Sequence, residues 1–295
     1  MSDFQQLVTQ FKKQFEPELA QEIQSEGSGN LVQAAQYSLM VGGKRIRPLL
    51  VKAAAEAVGI TDSSWLAPAI AIEMVHTYSL IHDDLPAMDD DDLRRGQATC
   101  HKQFGEAIAI LAGDGLQMKA ISCISQSDSK WLNDAQKLQQ INSLTLASGF
   151  SGMVAGQALD LDGEGKKLSL DEITNVHARK TGALIVSAIE MGCFCHPDLP
   201  IELLDKGRKF GQAIGLAFQV IDDILDIEGS TEVLGKSQGA DIDHDKSTFP
   251  ALMGLEEARL YANKLYLESL EQLKDWPGDT TTLKLIADFV LSRNH

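Results

Sequence analysis

The chain has 295 residues, of which 44% are hydrophobic and 23% charged, and its formal net charge is −16 at pH 7. This much apolar surface offsets the entropy lost on ordering the chain, so the composition excludes an intrinsically disordered protein. The excess of acid argues against broad nucleic-acid binding and against docking on an anionic membrane, because both need a basic face.

The sequence predicts helix along almost the whole chain, because Ala, Leu, Gln, Glu and Lys are abundant and β-branched alternation is scarce. The predicted helices cover residues 2–24, 29–41, 45–58, 64–84, 102–126, 130–148, 150–161, 170–190, 201–227, 248–252, 255–274 and 280–291. Two segments, 70–81 and 213–227, are apolar on nearly every face, as expected of helices at a protein centre. Residues 229–247 are rich in Gly, Asp, Ser and Lys and are predicted as a loop. Since no βαβ rhythm or internal repeat is present, we predict an all-α helical bundle forming a single domain over residues 1–295.

Membrane and export signals are not expected. The N-terminus lacks the basic start and apolar run of a signal peptide. No uninterrupted apolar stretch approaches the roughly 18 residues that indicate a membrane span. Four scattered cysteines, two of them in a C-x-C arrangement, fit neither a disulfide framework nor a zinc site and indicate buried thiols in a reducing cytosol. We therefore expect a cytoplasmic protein.

Two aspartate clusters interrupt apolar helices. The first cluster comprises Asp83, Asp84 and 89–92, and the second comprises Asp222, Asp223 and Asp226. Acidic runs are ordinarily solvated faces or turns. Here, however, Asp222 and Asp226 are four residues apart and share a helix face, where like charges repel. The first cluster falls near a helix C-terminus, where the helix dipole disfavours anions. Both the repulsion and the dipole are unfavourable for the acids, which indicates that a bound cation offsets their negative charge.

The chemistry of the clusters favours Mg²⁺, which is held by one or two carboxylates while substrate phosphates complete its octahedron. On an ideal helix Asp89 would lie about 240° from Asp83. Pro86 is expected to break the helix and bring Asp89 back. The ligand order of a calcium EF-hand is absent from both clusters.

The chain also carries basic residues that could bind phosphates. Lys44 and Arg47 follow a double glycine and share a face at a predicted helix N-terminus, a ready anion site, although a solvated basic turn is the alternative. Further basic residues are Arg94, Arg95, Lys180, Lys236 and Lys246. The P-loop, the G-x-S-x-G nucleophile elbow and the H-E-x-x-H zinc motif are all absent.

These motifs together resemble the trans-prenyltransferase (isoprenyl diphosphate synthase) family, and within it the bacterial enzymes that make farnesyl diphosphate. The resemblance runs along nearly the whole chain. It depends on G-G-K-R-I-R-P at 42–48, H-D-D-L-P-A-M-D-D-D-D-L-R-R-G at 82–96, G-Q-A-L-D-L at 156–161, K-T-G at 180–182 and F-Q-V-I-D-D-I-L-D at 218–226. Either Asp motif alone would be moderate support, but both in this order with the basic sites form a specific set.

The resemblance implies a fold with a deep central cavity and the head-to-tail condensation of isopentenyl diphosphate with dimethylallyl or geranyl diphosphate to farnesyl diphosphate and diphosphate. It implies three Mg²⁺ ions, with Mn²⁺ as an alternative, and a homodimer.

By motif position, the metal ligands would be Asp83 and Asp89 for two ions and Asp222 for the third, supported by Asp84 and Asp226. The allylic diphosphate would be held by Arg94, Lys180 and Lys246, with Lys236 in a gating loop. Isopentenyl diphosphate would be held by Lys44, Arg47, His76 and Arg95, with Arg293 closing its site, although His76 alone also fits an ordinary core histidine. The carbonyl of Lys180, with Thr181 and Gln219, would face the carbocation, and the released diphosphate would take up the proton.

Product length is predicted to depend on Tyr78. It precedes Asp83 by five residues, about 7.5 Å along a helix, and could form the floor of the substrate pocket, although an ordinary core position is the alternative. The resemblance implies that an aromatic residue there, with two extra residues in the first Asp motif, accompanies a fifteen-carbon product. Ser79 is small, which disfavours a tighter ten-carbon pocket.

Other functions are left open by the sequence. Within the family, the alternative is a geranylgeranyl or geranyl diphosphate synthase. A terpene cyclase would usually carry a different second metal motif and would not need Lys44 and Arg47. A non-catalytic subunit of a heteromeric synthase typically loses the Asp motifs, which are intact here. An acidic helical calcium-binding protein is the remaining alternative.

Overall fold

The computed structural model describes residues 2–228 and 247–293. Its helices are α1 Asp3–Gln24, α2 Asn30–Met40, α3 Ile46–Ala57, α4 Leu66–Asp83, α5 Cys100–Phe104, α6 Glu106–Ser125, α7 Asp134–Ser148, α8 Met153–Gly163, α9 Leu170–His177, a π-helix Ala178–Gly182, α10 Ala183–Cys193, α11 Ile201–Glu228, α12 Phe249–Met253, α13 Leu255–Gln272 and α14 Thr281–Ser292. Two-residue strands, β1 Leu93–Arg94 and β2 Gln97–Ala98, form an antiparallel hairpin. The prediction of an all-α fold is confirmed.

The chain forms two compact units. The first contains residues 1–52 and 62–141, and the second contains 53–61 and 142–295. The prediction of one domain over the whole chain stays a prediction.

In the first unit, α4 packs against α6, and α2 packs against α6 and α1. Helix α4 is buried at every position from Pro68 to Val75, which confirms the prediction of a helix that is apolar on nearly every face. It ends at Asp83, so the first acidic cluster begins where a buried core helix stops. Burial of the helix fixes this end in place.

In the second unit, the 28-residue helix α11 packs against α10, α13, α14 and the π-helix. Its buried residues continue to Leu225, so the second acidic cluster lies inside a core helix. Helix α9 begins with a capping box, in which the Ser169 hydroxyl accepts from the backbone of Glu172 and the Glu172 carboxylate accepts from that of Ser169.

Two predicted helices are interrupted in the structure. The predicted helix 102–126 is broken at Gly105, whose φ of 86° is accessible to glycine and terminates α5. The predicted helix 170–190 contains the π-helix, in which the backbone winds more widely for one turn. The β1–β2 hairpin was not predicted, because its turn places Arg95 at φ 54°, a conformation that sequence does not forecast for arginine.

One helix within the described ranges, Glu106–Ser125, is long and apolar enough to cross a membrane by length and mean hydropathy. This helix was not predicted as a membrane span, because Asp114 and Lys119 interrupt the apolar runs within it. The observation is weak support for a membrane span, since core helices of soluble proteins meet the same criterion.

Candidate active site

The first acidic cluster lies in a turn that follows α4. Beyond Asp83 the chain reverses at Leu85 and Pro86, and the backbone amide of Asp89 donates to the carbonyl of Asp83 at 2.9 Å. The expected return of Asp89 toward Asp83 is confirmed for the backbone. The two residues named as ligands of the first pair of ions therefore lie next to each other.

Asp84 is buried and paired with an arginine. Arg94 donates through Nε to Asp84 Oδ1 at 2.9 Å, donates to the same oxygen through Nη2, and reaches Asp91 Oδ2 at 3.2 Å. Burial raises the pKa of Asp84, and the hydrogen bond and charge of Arg94 oppose this rise. Arg94 thus lies at the first acidic cluster, as expected of a residue for the allylic diphosphate.

Arg47 and His76 form a basic pair on α3 and α4. Their Nη1 and Nε2 atoms are 3.3 Å apart. Burial lowers the pKa of Arg47 to about 10, and burial together with neighbouring arginines lowers the pKa of His76 well below its usual 6.5. Because a guanidinium can only donate, His76 Nε2 accepts and the ring proton belongs on Nδ1.

Arg95 lies against the double-glycine turn. Its Nη1 donates to the carbonyl of Gly42, and its guanidinium covers Gly43, where an added Cβ would lie 2.5 Å from Nη1. The positive charge of Arg95 lowers the pKa of both Arg47 and His76, which places these three groups near one another. Lys44 is exposed in the turn that precedes α3. The structure thus brings Arg47, His76 and Arg95, three of the four residues predicted for isopentenyl diphosphate, into one basic cluster.

Tyr78 is buried on α4 between His76 and Asp83, with 5% of its surface exposed. Its ring meets that of His82 edge-on at 5.7 Å, and burial, with the charge of Asp83, raises the pKa of its hydroxyl to about 12. The neighbouring Ser79 hydroxyl donates to the carbonyl of His76 at 2.8 Å. Tyr78 is therefore fixed and uncharged.

A polar chain links the π-helix to the second acidic cluster. The Thr181 hydroxyl donates to Gln219 Oε1 at 3.0 Å, and Gln219 Nε2 donates to Asp222 Oδ2 at 3.2 Å. These two bonds require opposite ends of the Gln219 amide and so fix its orientation. Asp226 follows Asp222 by one helical turn on the same face.

Asp223 is buried in the same motif and accepts from the backbone amide of Phe249 at 2.8 Å. It thereby holds the start of α12 and has a structural partner. Asp223, the middle acid of the second cluster, thus has a structural contact and is not among the predicted metal ligands, unlike Asp222 and Asp226.

Lys180 lies in the π-helix, and its Nζ donates to Asp160 Oδ2 at 2.6 Å. Gly156, four residues before Asp160 on α8, faces the backbone of Lys180 so closely that an added Cβ would lie 2.2 Å from Lys180 N. One face of α8 therefore positions both the backbone and the ammonium of Lys180. Single π-helical turns occur frequently at functional sites.

Arg293 lies at the second acidic cluster. Its Nη2 donates to Asp222 Oδ1 at 2.5 Å, and its guanidinium carbon is 4.2 Å from the ring centre of Phe218. Such a stacked, charge-paired arginine stabilises the carboxylate that it contacts. Lys236 and Lys246 lie outside the described residues.

The acidic donor set suits Mg²⁺. Among residues 2–228 and 247–293, no three His, Cys, Asp or Glu side chains lie close enough together to hold a metal ion on their own. Mg²⁺ does not need such a cage, because one or two carboxylates with substrate phosphates and water suffice. The pairs Asp83–Asp89 and Asp222–Asp226 offer that kind of ligand.

Three residues of these sites were not singled out from the sequence. Arg45 and Glu73 form a buried ion pair with Nη1 and Oε1 2.6 Å apart, and Asp160 holds Lys180. Glu73 is the only acid in the segment from Leu66 to His82. That isolated charge in an apolar run was a signal that could have found it.

The fold and these sites define an all-α protein that carries two acidic motifs, each with basic side chains beside it. The sequence matches the family model described as Polyprenyl synthetase over residues 29–282. The chain belongs to the polyprenyl synthetase family.

Several relatives support this assignment. Farnesyl diphosphate synthase of Escherichia coli (strain K12) is 50% identical over 267 residues, which cover 90% of this chain and 89% of the relative. Farnesyl diphosphate synthase of Geobacillus stearothermophilus is 43% identical over 295 residues, 99% of this chain and 98% of the relative. Chloroplastic geranylgeranyl pyrophosphate synthase of Capsicum annuum is 42% identical over 265 residues, 89% of this chain and 71% of the relative.

Solved structures are similar along nearly the whole chain. An FPP/GFPP synthase from Zymomonas mobilis has a TM-score of 0.85 at 34% identity, covering 98% of this chain and 99% of that one. Geranylgeranyl pyrophosphate synthetase from Pyrococcus horikoshii Ot3 has a TM-score of 0.88 at 28% identity, covering 99% of this chain and 100% of that one.

Proposed function

We propose that this protein is a prenyltransferase that condenses isopentenyl diphosphate head-to-tail with dimethylallyl or geranyl diphosphate, giving farnesyl diphosphate and diphosphate. One observation carries the proposal. Helix α4 bears His76 in a basic cluster and, two turns further on, Asp83 in an acidic one. Seven residues correspond to about 10 Å along a helix. Two anionic substrates can therefore be bound close together by different chemistry, one by basic side chains and one through cations.

The acidic motifs are proposed to hold three Mg²⁺ ions, or Mn²⁺. Asp83 and Asp89 would ligate two ions and Asp222 the third, with Asp84 and Asp226 in support. When bound, the ions supply positive charge to the leaving diphosphate. Arg94, Lys180, Lys246 and the loop residue Lys236 would add further charge to the same diphosphate.

The reaction needs a surface that stabilises positive charge on the allylic carbon. Thr181 Oγ1 uses its proton to donate to Gln219, so its lone pairs can face the carbocation. The π-helix offers the carbonyl dipole of Lys180 in the same segment. The double bond of isopentenyl diphosphate then attacks the cation, and the released diphosphate takes the proton. Water must be excluded during this step, because it would quench the cation.

Isopentenyl diphosphate is proposed to bind at Lys44, Arg47, His76 and Arg95. The lowered pKa values of Arg47 and His76 result from burial and from repulsion by the positive charge of neighbouring arginines. Binding of a diphosphate would relieve that repulsion. Arg293 contacts Asp222 in the structure, and its closing of the isopentenyl diphosphate site stays a prediction.

Farnesyl diphosphate is favoured as the product, since farnesyl diphosphate synthases reach 50% identity and the geranylgeranyl pyrophosphate synthases reach 42%. We also propose a cytoplasmic homodimer. A non-catalytic subunit is disfavoured, because both acidic motifs are present, the first at the end of core helix α4 and the second within core helix α11.

The proposal is tested by incubating the purified protein with isopentenyl and geranyl diphosphates, with Mg²⁺ or with EDTA, and identifying the dephosphorylated product by chromatography. We expect a fifteen-carbon alcohol with Mg²⁺ and none with EDTA. Absence of product with Mg²⁺ would overturn the proposal.

A variant pair tests the metal ligands in the same assay. Asp83→Asn should lower kcat at least about a hundredfold, because it removes charge stabilisation from the leaving group. The matched control is Asp128→Asn, at an exposed acid that pairs with Lys130, which should retain wild-type rates. Full activity of Asp83→Asn would contradict the role of the first motif.

A further inference from the structure

A buried ion pair lies beneath the basic cluster. Each of the three guanidinium nitrogens of Arg45 donates one hydrogen bond: Nη1 to Glu73 Oε1 at 2.6 Å, Nη2 to the carbonyl of Leu39 at 2.6 Å, and Nε to Glu16 Oε1 at 3.2 Å. The side chains of Arg45 and Glu73 are only 1% and 3% exposed. Neither can therefore contact a ligand in solvent directly.

The backbone of Arg45 is held in an unusual conformation. Its φ is 53°, and it follows Gly42 and Gly43, which also have positive φ. A non-glycine residue in this region is strained and persists only where its surroundings fix it. The three bonds of the Arg45 guanidinium supply that fixation. They hold the turn from which Lys44 and Arg47 extend on either side.

Glu73 connects this turn to the helix that carries His76. Glu73 and His76 are three residues apart on α4 and share a face. The charge of Glu73 favours the protonated forms of Arg47 and Arg95, whereas burial and the surrounding arginines disfavour them. The Glu73 carboxylate thus neutralises part of the positive charge of the basic cluster, and the remaining positive charge can attract an anionic ligand.

We propose that Arg45 and Glu73 are positioning residues for isopentenyl diphosphate: their buried ion pair fixes Lys44 and Arg47 relative to His76 and Arg95. The inference rests on the proposed function, because that function assigns the substrate to this cluster. The pair acts on affinity for one substrate, without contact with the reacting atoms.

The test separates positioning from stability. Replacing one partner leaves a buried unpaired charge and destabilises the fold, whereas replacing a buried ion pair by apolar residues of similar volume is often neutral or stabilising. The informative variant is therefore the double substitution Arg45→Met with Glu73→Leu, accompanied by Arg45→Met alone. Affinity for isopentenyl diphosphate is measured by calorimetry without metal, and KM and kcat are measured with geranyl diphosphate and Mg²⁺. Thermal unfolding reports stability.

We expect the double variant to recover the melting temperature that Arg45→Met loses, while its Kd and KM for isopentenyl diphosphate stay raised roughly ten- to hundredfold, since small displacements of binding groups cost this much. Its KM for geranyl diphosphate should not change. Lys119→Met is the control, because it breaks ion pairs to Glu22 and Glu26 in the same unit and should lower stability without changing either KM.

Wild-type Kd and KM in a stable double variant would overturn the positioning role and leave the proposed function intact. If the wild-type protein neither binds isopentenyl diphosphate nor forms product, the proposed function fails, and the inference fails with it.

Discussion

Tyr78 connects a single side chain to product length. It is buried on α4 five residues before Asp83 and packs edge-on against His82. We expect Tyr78→Ala to shift the main product from fifteen carbons to twenty or more, because the truncation removes the aromatic ring from the proposed pocket floor. The measurement is chromatography of the products made from isopentenyl and geranyl diphosphates.

The control for this prediction is Tyr78→Phe, which removes only the hydroxyl and should retain the fifteen-carbon product. Truncation of a buried aromatic residue to alanine costs about 3–5 kcal/mol of stability, so circular dichroism must first show that Tyr78→Ala is folded. An unchanged product profile from the folded variant would show that Tyr78 is ordinary core.

At the residue scale, the sequence motifs identify site residues that are close together along the chain. They do not identify the partners that these residues meet from distant segments. The spacing of Lys44 and Arg47 predicts a shared helix face, and this is wrong for Lys44, because α3 begins at Ile46 and Arg45 has a φ of 53°, so that Lys44 lies in the turn before the helix. Arg45 and Glu73 are 28 residues apart and meet where the turn before α3 approaches α4. Helical periodicity carries no information on such pairs, since it relates residues within one helix.

At the scale of elements, helix α8 and the π-helix pack closely against each other. Gly156 gives the backbone of Lys180 room, and Asp160 pairs with its ammonium. We expect Gly156→Ala to move the π-helix away from α8, lowering kcat at least about tenfold and destabilising the fold by about 1–3 kcal/mol. Steady-state kinetics and thermal unfolding measure the two effects.

Gly163→Ala is the control for that substitution. It lies in the same helix, and the nearest atom to its added Cβ is the end of the flexible Leu168 side chain at 3.1 Å. It should change stability by less than about 1 kcal/mol and leave kcat unchanged. If both variants behave alike, the close approach of Gly156 to Lys180 has no role in catalysis.

Helices were predictable as elements, but their interruptions were not. The apolar runs of α4 and α11 predicted core helices, and their burial confirms this. The π-turn at Lys180 has no signature in propensity, because it depends on how α8 packs against the backbone. The hairpin that carries Arg94 and Arg95 likewise depends on tertiary contacts, including the bond from Arg95 to Gly42.

At the scale of the molecule, the net charge of −16 is concentrated at few places. Nine aspartates lie in the two acidic motifs, and three more lie at 241, 243 and 245 in the segment outside the described residues. The basic cluster at Arg47 and His76 is separate from them along α4. An acidic protein can thus bind two acidic substrates, because cations at one site and basic side chains at the other reverse the local charge.

The exposed side of α6 bears on the assembly of the whole molecule. Leu111 and Met118 are 52% and 63% exposed, and Gly115 between them leaves room for close approach. Its apolar side chains contribute to the length and hydropathy by which α6 could cross a membrane. We propose that a second copy of the chain covers this face, because two symmetry-related copies would bury the same apolar side chains against each other.

We therefore expect the wild-type protein to sediment as a dimer and Leu111→Asp to sediment as a monomer, since a charge buried in an apolar interface costs several kcal/mol. Analytical ultracentrifugation over a range of concentrations measures the association. Leu260→Asp is the matched control, because Leu260 is 62% exposed on α13 and its replacement should leave the dimer intact. A monomeric wild-type protein, or a dimer that persists in Leu111→Asp, would show that α6 is not the interface. Membrane contact would then be the alternative for its apolar face, and flotation with anionic vesicles would test it.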